Sequence, residues 1–313
     1  MLLSKRMNYT PINHLATKKN NSNRVILFTN VRDEKNMKEW VTHHLLLNFD
    51  MIYIFDHKSI VPLKNDFHNF SKRVVIERGA WNNPVKIPLM KRAVSIAKQH
   101  GYDWMLYLDA DEFLVLNKFM GVKHLLQSYN FAHSLSINWL MFGTNFHKKD
   151  PPGLILENYT KSELYLDKHV KTFVRPEYVV NVTNQHYFVL AFPRRMLTLN
   201  LKNNMNEPFF NEWRIEYYNA GAYIAHHIYQ SEETYMNRKI KLPTDDSGGK
   251  RNYDSGIHKR YNTVDNNDVK NKYVSRIKKM LGFYYHKNKM ISNTSTSTPS
   301  STNTSAHSAT TTA

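Results

Sequence analysis

The sequence predicts an α/β protein built on a mostly parallel sheet. Three observations carry that expectation. Strand-like and helix-like apolar patterns alternate through the first hundred residues. Carboxylates recur where the strand patterns end. An unbroken apolar run, Trp104 to Leu108, delivers Asp109 and Asp111 at its far end. A buried strand favours that run, whereas charges leaving a core edge cost solvation unless something pairs with them.

Arg24–Val31 reads as the first strand and ends in Arg-Asp-Glu. Asp33 is placed to cap a helix whose apolar positions Met37, Trp40, Val41 and Leu45 fit a 3.6-residue period. Met51–Phe55 is the second strand and ends at Asp56. Arg73–Ile76 is the third. Pro88 to Gln99 carries a helical stripe (Leu89, Ala93, Ile96, Ala97) closed by His100-Gly101, and Asp103–Leu108 is the fourth strand. If these strands are parallel, Asp33/Glu34, Asp56 and Asp109/Asp111 gather on one edge, the edge where open α/β sheets bind ligands. Two aspartates one residue apart there suit a divalent cation that bridges to phosphates.

The second half is less regular. Ser134–Met141 and Lys171–Val180 look like strands, and Tyr223–Ile228 is an aromatic run that holds His226-His227. Ser231 is a helix cap followed by Glu232 and Glu233. Asp245-Asp246-Ser-Gly-Gly reads as a flexible loop and Val264–Tyr285 as a basic amphipathic helix. Residues 1–23 form a polar leader, 24–290 a single domain, and 291–313 a Ser/Thr-rich tail too poor in apolar residues to order itself.

The 313 residues contain 16 Phe, 19 Tyr and no cysteine, which rules out thiolate metal sites and cysteine nucleophiles. No run approaches the ~18–20 apolar residues of a membrane span, and the start lacks the apolar segment of a signal peptide. A cytoplasmic location, or one peripheral to a membrane, is therefore expected. The net charge of +17 suits an anionic substrate such as a nucleotide sugar, and allows a peripheral contact with an anionic membrane. No nucleic-acid-binding signature accompanies it, so nucleic acid is not expected as a partner.

Ordered motifs then line up with a known family. Asp33-Glu34, Glu39-Trp40-Val41, His44, Phe49 to Asp56 and Ser59 come first. Asp103-Trp104 through Asp109-Ala110-Asp111-Glu112-Phe113 follow, then Trp139 to Thr144 with His147 and Pro151, and Lys171 to Pro176. His226 to Glu233 with Lys239 complete the series. Over roughly residues 24–265 the chain resembles glycosyltransferase family 92 and the broader family-2-like glycosyltransferases. Asp33, Asn48 and Gln230 depart from the Asn, Gly and Lys usual there.

The resemblance implies a GT-A fold, a Rossmann-like α/β/α sandwich, and transfer of a hexose, galactose or glucose, from a UDP-sugar to a glycan or glycoprotein acceptor. It implies Mn²⁺ or Mg²⁺ on Asp111, with Asp109 reaching the metal or the ribose and His226 as a further ligand. His227 is its rival, and alternation in a strand would put the two on opposite faces. Asp56 would bind the ribose or base, with Glu34 close by. Lys171, Arg175 and Arg238 are candidates for diphosphate or acceptor contact. Trp139 and Phe142 are either an acceptor platform or core. Inversion, favoured by family analogy, needs an acceptor-side carboxylate. Glu207, Glu212, Glu216, Asp245 and Asp246 all remain open for that role. The rival functions are a metal-dependent nucleotidyltransferase or phosphoesterase, and a basic binding protein on a degenerate GT-A fold.

Overall fold

The computed structural model describes residues 23–67, 70–191, 195–200 and 214–282. The tail at 291–313, and all of the leader but Asn23, lie outside them. Strand and helix alternate as expected through β1 (Val25–Val31), α1 (Met37–Leu46), β2 (Met51–His57), the single turn α2 (Leu63–Asp66), β3 (Val74–Gly79), α3 (Lys86–Gln99) and β4 (Trp104–Tyr107). After the paired aspartates come β5 (Glu112–Leu116), α4 (Val122–Ser128), β6 (Ser134–Met141), α5 (Ile155–Asn158), β7 (Lys161–Ser162) and β8 (Val170–Val174). The remainder holds β9 (Val179–Asn181), β10 (Val189–Leu190), β11 (Met196–Thr198), β12 (Ala222–His226), α6 (Glu232–Thr234) and β13 (Val264–Asp265).

The main sheet runs β3-β2-β1-β4-β8-β6-β12-β5, with β11 beside β6. β1 pairs in parallel with β2 and β4, and β2 with β3. β8 runs against both of its neighbours, while β12 is again parallel to β6. One edge therefore collects the carboxyl ends of β1, β2, β4, β6 and β12 and the start of β8. The three acidic sets do converge there.

Alternation along β1 explains the two covered faces. Val25 and Leu27 pack with Trp40, Val41 and Leu45 of α1, and Ile26 and Phe28 pack with Leu89, Met90, Ala93 and Ala97 of α3. Both helices bury the stripe that the 3.6-residue period marks. Gly101, at φ +64°, ends α3 in the left-handed conformation expected of it.

β2 and β3 run on to His57 and Gly79, past Phe55 and Ile76, and four further differences from the sequence reading have a local cause. Asp33 does not cap α1: it sits in a turn at φ 53°, where its carboxylate accepts from the Ile60 N–H at 2.7 Å. The strand expected at 171–180 stops at Val174, because Pro176 has no N–H for a ladder and opens a 3₁₀ turn. The aromatic strand spans Ala222–His226, so His227 follows it. The basic helix is helical over 268–282, whereas Val264 and Asp265 pair with Ser162 and Lys161 of β7. Among the described residues no helix is long and apolar enough to cross a membrane.

Candidate active site

Asp109 leaves β4 at the carboxyl edge and meets two ammonium groups. Lys86, which opens α3, contacts Asp109 Oδ1 and donates to Asn30 Oδ1 at 2.9 Å. Lys171, the second residue of β8, donates to Asp109 Oδ2 at 2.7 Å and lies 3.4 Å from Glu112 Oε2. Both lysines are almost completely buried. Burial alone would raise the Asp109 pKa, yet Lys171 and Lys86 hold it well below the usual carboxylate range. Burial pushes Glu112 up to about 8 against the pull of Lys171, and Glu112 Oε2 accepts the Asp109 N–H at 2.8 Å.

Asp111 faces different partners. Lys239 donates to its Oδ2 at 2.7 Å, and His226 Nε2 stands 3.6 Å from its Oδ1. Burial opposes the Asp111 charge, but Lys239, His226 and Arg238 together keep the carboxyl below its ordinary range. Burial pulls His226 down to about 4, partly resisted by Asp111. The ring is therefore neutral at pH 7. Among the described residues its Nδ1 is buried without a hydrogen-bond partner, and the ring meets Trp139 at 4.3 Å.

Lys239 and Arg238 are carried by the π-helical turn Tyr235–Ile240 that continues α6. Ser231 starts this segment as foreseen, accepting from the Thr234 N–H at 3.0 Å, while Asp150 accepts from the hydroxyls of Ser231 and Thr234. Arg238 pairs with Glu34, whose carboxyl is raised by burial despite that guanidinium. The loop after the turn roofs the cleft. Asp245 accepts from the Lys86 N–H at 3.1 Å through its carbonyl and from the Asn30 amide at 2.6 Å through its carboxylate. Asp246 bonds the Gln185 side chain, and burial together with Asp109 raises its carboxyl. Arg32 and Arg251 also line the cleft, and among the described residues neither pairs with a carboxylate.

Glu34, Asp109 and Asp111 thus line one cleft, with His226 directly behind Asp111. Lys171 and Arg238 also belong to the site. Asp56 stands apart. It is fully buried, accepts from the N–H groups of Ser59 (3.4 Å) and Leu63 (3.0 Å), and faces Arg78 at 3.5 Å. Arg175 is spent on the carbonyls of Asn130 and Ala132 and lies over Trp104. His227 turns away from the cleft into a box of Phe113, Phe142 and Tyr159. Phe142 is therefore core. Trp139 packs against the rings of His169 and His226. Of the base candidates, Asp245 and Asp246 line the cleft. Glu216 sits on a bridge to Tyr165 and binds Asn219, and Glu207 and Glu212 lie outside the described residues.

The donor set can be tested against a divalent ion. At 3.6 Å, Asp111 Oδ1 and His226 Nε2 are too far apart to hydrogen-bond. Two ligands, each about 2.0–2.2 Å from one ion, adopt such a separation. Both oxygens of Asp109 already hold ammonium groups, and among the described residues no three His, Cys, Asp or Glu side chains form a ready-made shell. The pair fits an ion whose other positions fall to phosphate and water oxygens.

Sequence reasoning missed Lys86, Asn30, Arg32 and Arg251. For Lys86 a signal was present: it occupies the buried stripe of α3 with Leu89, Met90, Ala93 and Ala97, where an unpaired lysine is almost never found.

Opposed charges share one cleft at the carboxyl edge of a mostly parallel α/β sheet. Residues 26–238 match Glycosyltransferase family 92, more than half of the chain. The chain belongs to that family. No curated protein matches it. Among solved structures it is similar to S. aureus TarS 1-349 in complex with UDP, at 14% identity and TM-score 0.33, over 50% of this chain and 47% of that one. The TarS complex with UDP-GlcNAc gives 11% identity and TM-score 0.33, over 50% and 46%. A 4-diphosphocytidyl-2C-methyl-D-erythritol synthase gives 10% identity and TM-score 0.37, over 61% and 94%. The chain spans about half the length of the TarS structures.

Proposed function

We propose that the chain transfers a hexose, galactose or glucose, from a UDP-sugar to a glycan or glycoprotein acceptor, with inversion and with Mn²⁺ or Mg²⁺ in the cleft. One observation carries this reading: Arg32 and Arg251, unpaired among the described residues, line the same cleft as Asp111. Cations left without carboxylates in a partly enclosed site are suited to a diphosphate.

When bound by Asp111 and His226, a divalent ion would supply positive charge where the departing diphosphate becomes more negative. The chain's own cations act on the same charge. Lys239 reaches the Asp111 carboxylate from the cleft side, and Arg32 and Arg251 face the phosphates from the rim. Asp109 acts through Lys86 and Lys171, which it fixes at the floor of the site. Glu34 is the acceptor for a ribose hydroxyl, and Arg238 holds it in place. Asp56 acts one step back, by shaping the turn between β2 and α2.

Thermal shift with UDP tests the reading. UDP should raise the melting temperature in Mn²⁺ or Mg²⁺ and lose most of that shift in EDTA, since a ligand binding only the native state stabilises by mass action. UDP-glucose or UDP-galactose should then release UDP. Equal UDP shifts with and without EDTA would remove the ion. No shift under any condition would remove the UDP-sugar donor.

A further inference from the structure

We infer that a second cavity, walled by the loop between β1 and α1, by residues 150–159 and by Gln230, binds one neutral sugar ring of the acceptor glycan. The acceptor role rests on the sugar-transfer reading above, whereas the chemistry of the cavity does not.

The cavity measures about 220 Å³. That is below the ~300–1,000 Å³ of pockets for drug-sized ligands, and it suits a single ring rather than a chain. It neighbours the cleft along the backbone. Glu34 lines the cleft while Lys35 and Asn36 line the cavity, and consecutive Cα atoms stand only ~3.8 Å apart. Gln230 likewise lines the cavity and leads into the segment that brings Arg238 and Lys239 to the cleft. Asp150, also on the cavity wall, accepts from the hydroxyls of Ser231 and Thr234 and so fixes the start of that segment.

Gln230 points to a ligand. The residue is 4% exposed, yet among the described residues its side-chain amide has no hydrogen-bond partner. Leaving a buried amide unpaired is unfavourable. Its backbone lies at φ 55°, a left-handed conformation that is uncommon outside glycine and that gathers at ligand clamps and active sites. Two unfavourable features thus meet at one buried residue on a cavity wall, and a bound polar ligand would offset the first of them.

The lining selects the ligand. Lys35 is the one cation on the wall and Asp150 the one carboxylate, among the described residues, and their charged groups stand 3.4 Å apart. The pair leaves no net charge for a phosphate, in contrast to Arg32 and Arg251 in the cleft, and a lone carboxylate makes a poor metal shell. What remains is amides and a short apolar wall. Asn36, Asn158 and Gln230 each carry donors and an acceptor, which matches sugar hydroxyls that both give and take hydrogen bonds. The Asn36 side chain makes no cap bond to α1, and Asn158 uses its NH₂ on the Pro152 carbonyl at 3.0 Å. Pro151, Leu154 and Tyr159 supply apolar surface for the C–H face of the ring.

The test uses the full chain with UDP and Mg²⁺ present, so that the donor position is filled. Methyl β-galactoside and methyl β-glucoside are titrated by ligand-observed NMR, with inorganic phosphate as competitor. At least one glycoside should bind the wild type, and phosphate should not displace it. Gln230→Met, close in length but without the amide, should weaken that binding about tenfold and keep the wild-type melting temperature and UDP thermal shift. Asn36→Ala should do the same, and it gives the reading should Gln230→Met not fold. Absence of binding by both glycosides, binding that the variants leave unchanged, or displacement by phosphate would each overturn the assignment while UDP binding stands. Glycoside binding that depends on Gln230, in a chain whose melting UDP never shifts, would keep the sugar cavity and remove the donor reading.

Discussion

Around β1 and β2 three aspartates accept backbone N–H groups, two of them with a cation beside them as well, whereas after β4 two aspartates meet lysine ammonium groups. Asp33 accepts the Ile60 N–H, Asp50 the Val25 N–H at 2.8 Å, and Asp56 the N–H groups of Ser59 and Leu63. Asp109 and Asp111, on the same edge, meet Lys86, Lys171 and Lys239. Backbone amides cannot move away without unfolding a turn, so the first group is structural. A lysine ammonium on a four-carbon stem exchanges readily with another ligand. Two identical-looking acids after two parallel strands therefore serve opposite ends, and the partner decides which.

The largest effect that separates them is on turnover. Asp111→Asn should leave circular dichroism unchanged and reduce UDP release from a UDP-sugar about 10²-fold or more, or ≳ 2.7 kcal/mol of transition-state stabilisation. Glu112→Gln should cost far less, because burial already favours the protonated, uncharged Glu112 that glutamine imitates. Wild-type turnover in Asp111→Asn would remove that residue from the chemistry.

Asp56→Ala should do the reverse. It strands two buried N–H groups and leaves Arg78 without its carboxylate, a loss of about 1–3 kcal/mol in urea denaturation, with kcat of the folded fraction preserved. A kcat defect at full stability would move Asp56 into the site. Between these two extremes lies Lys239→Gln, which should weaken UDP about tenfold, or ~1.4 kcal/mol, by calorimetry while melting changes little. Unchanged affinity would show that Lys239 serves Asp111 alone.

The same contrast explains what the sequence could reveal. The first half was legible because each strand and helix buries one face against the sheet, and burial prints a period on the sequence. Trp40, Val41 and Leu45, or Leu89 and Ala93, declare their faces without any knowledge of partners. The convergence of Asp109, Asp111 and Glu34 followed from parallel order alone. Asp56 shows the limit of that logic: edge position is readable, but whether a carboxylate meets an amide or an ammonium depends on residues far along the chain. Lys171 and Lys239 lie 62 and 128 positions from their aspartates. β5 escaped notice because a five-residue apolar strand, completed only by distant β12, has no period of its own.

The smallest predicted effect divides adjacent histidines. His226 faces Asp111, whereas His227 lies among Phe113, Phe142 and Tyr159 with both ring nitrogens buried and, among the described residues, without hydrogen-bond partners. His227→Phe should therefore raise stability by roughly 1 kcal/mol at pH 7, because an aromatic ring of similar shape replaces two unsatisfied polar atoms. The gain should grow in acid. Burial draws His227 down to about 3, so between pH 6.5 and 3 the unfolded wild type binds a proton that the folded state refuses, and wild-type stability falls as pH falls. Phenylalanine binds no proton in either state, so the gap in melting temperature should widen from pH 7 to pH 5. His226→Phe, by contrast, should abolish UDP release whatever it does to melting. A His227→Phe variant that melts lower than wild type at pH 5 would mean that His227 has a partner in solution, and that the pair is not divided between chemistry and core.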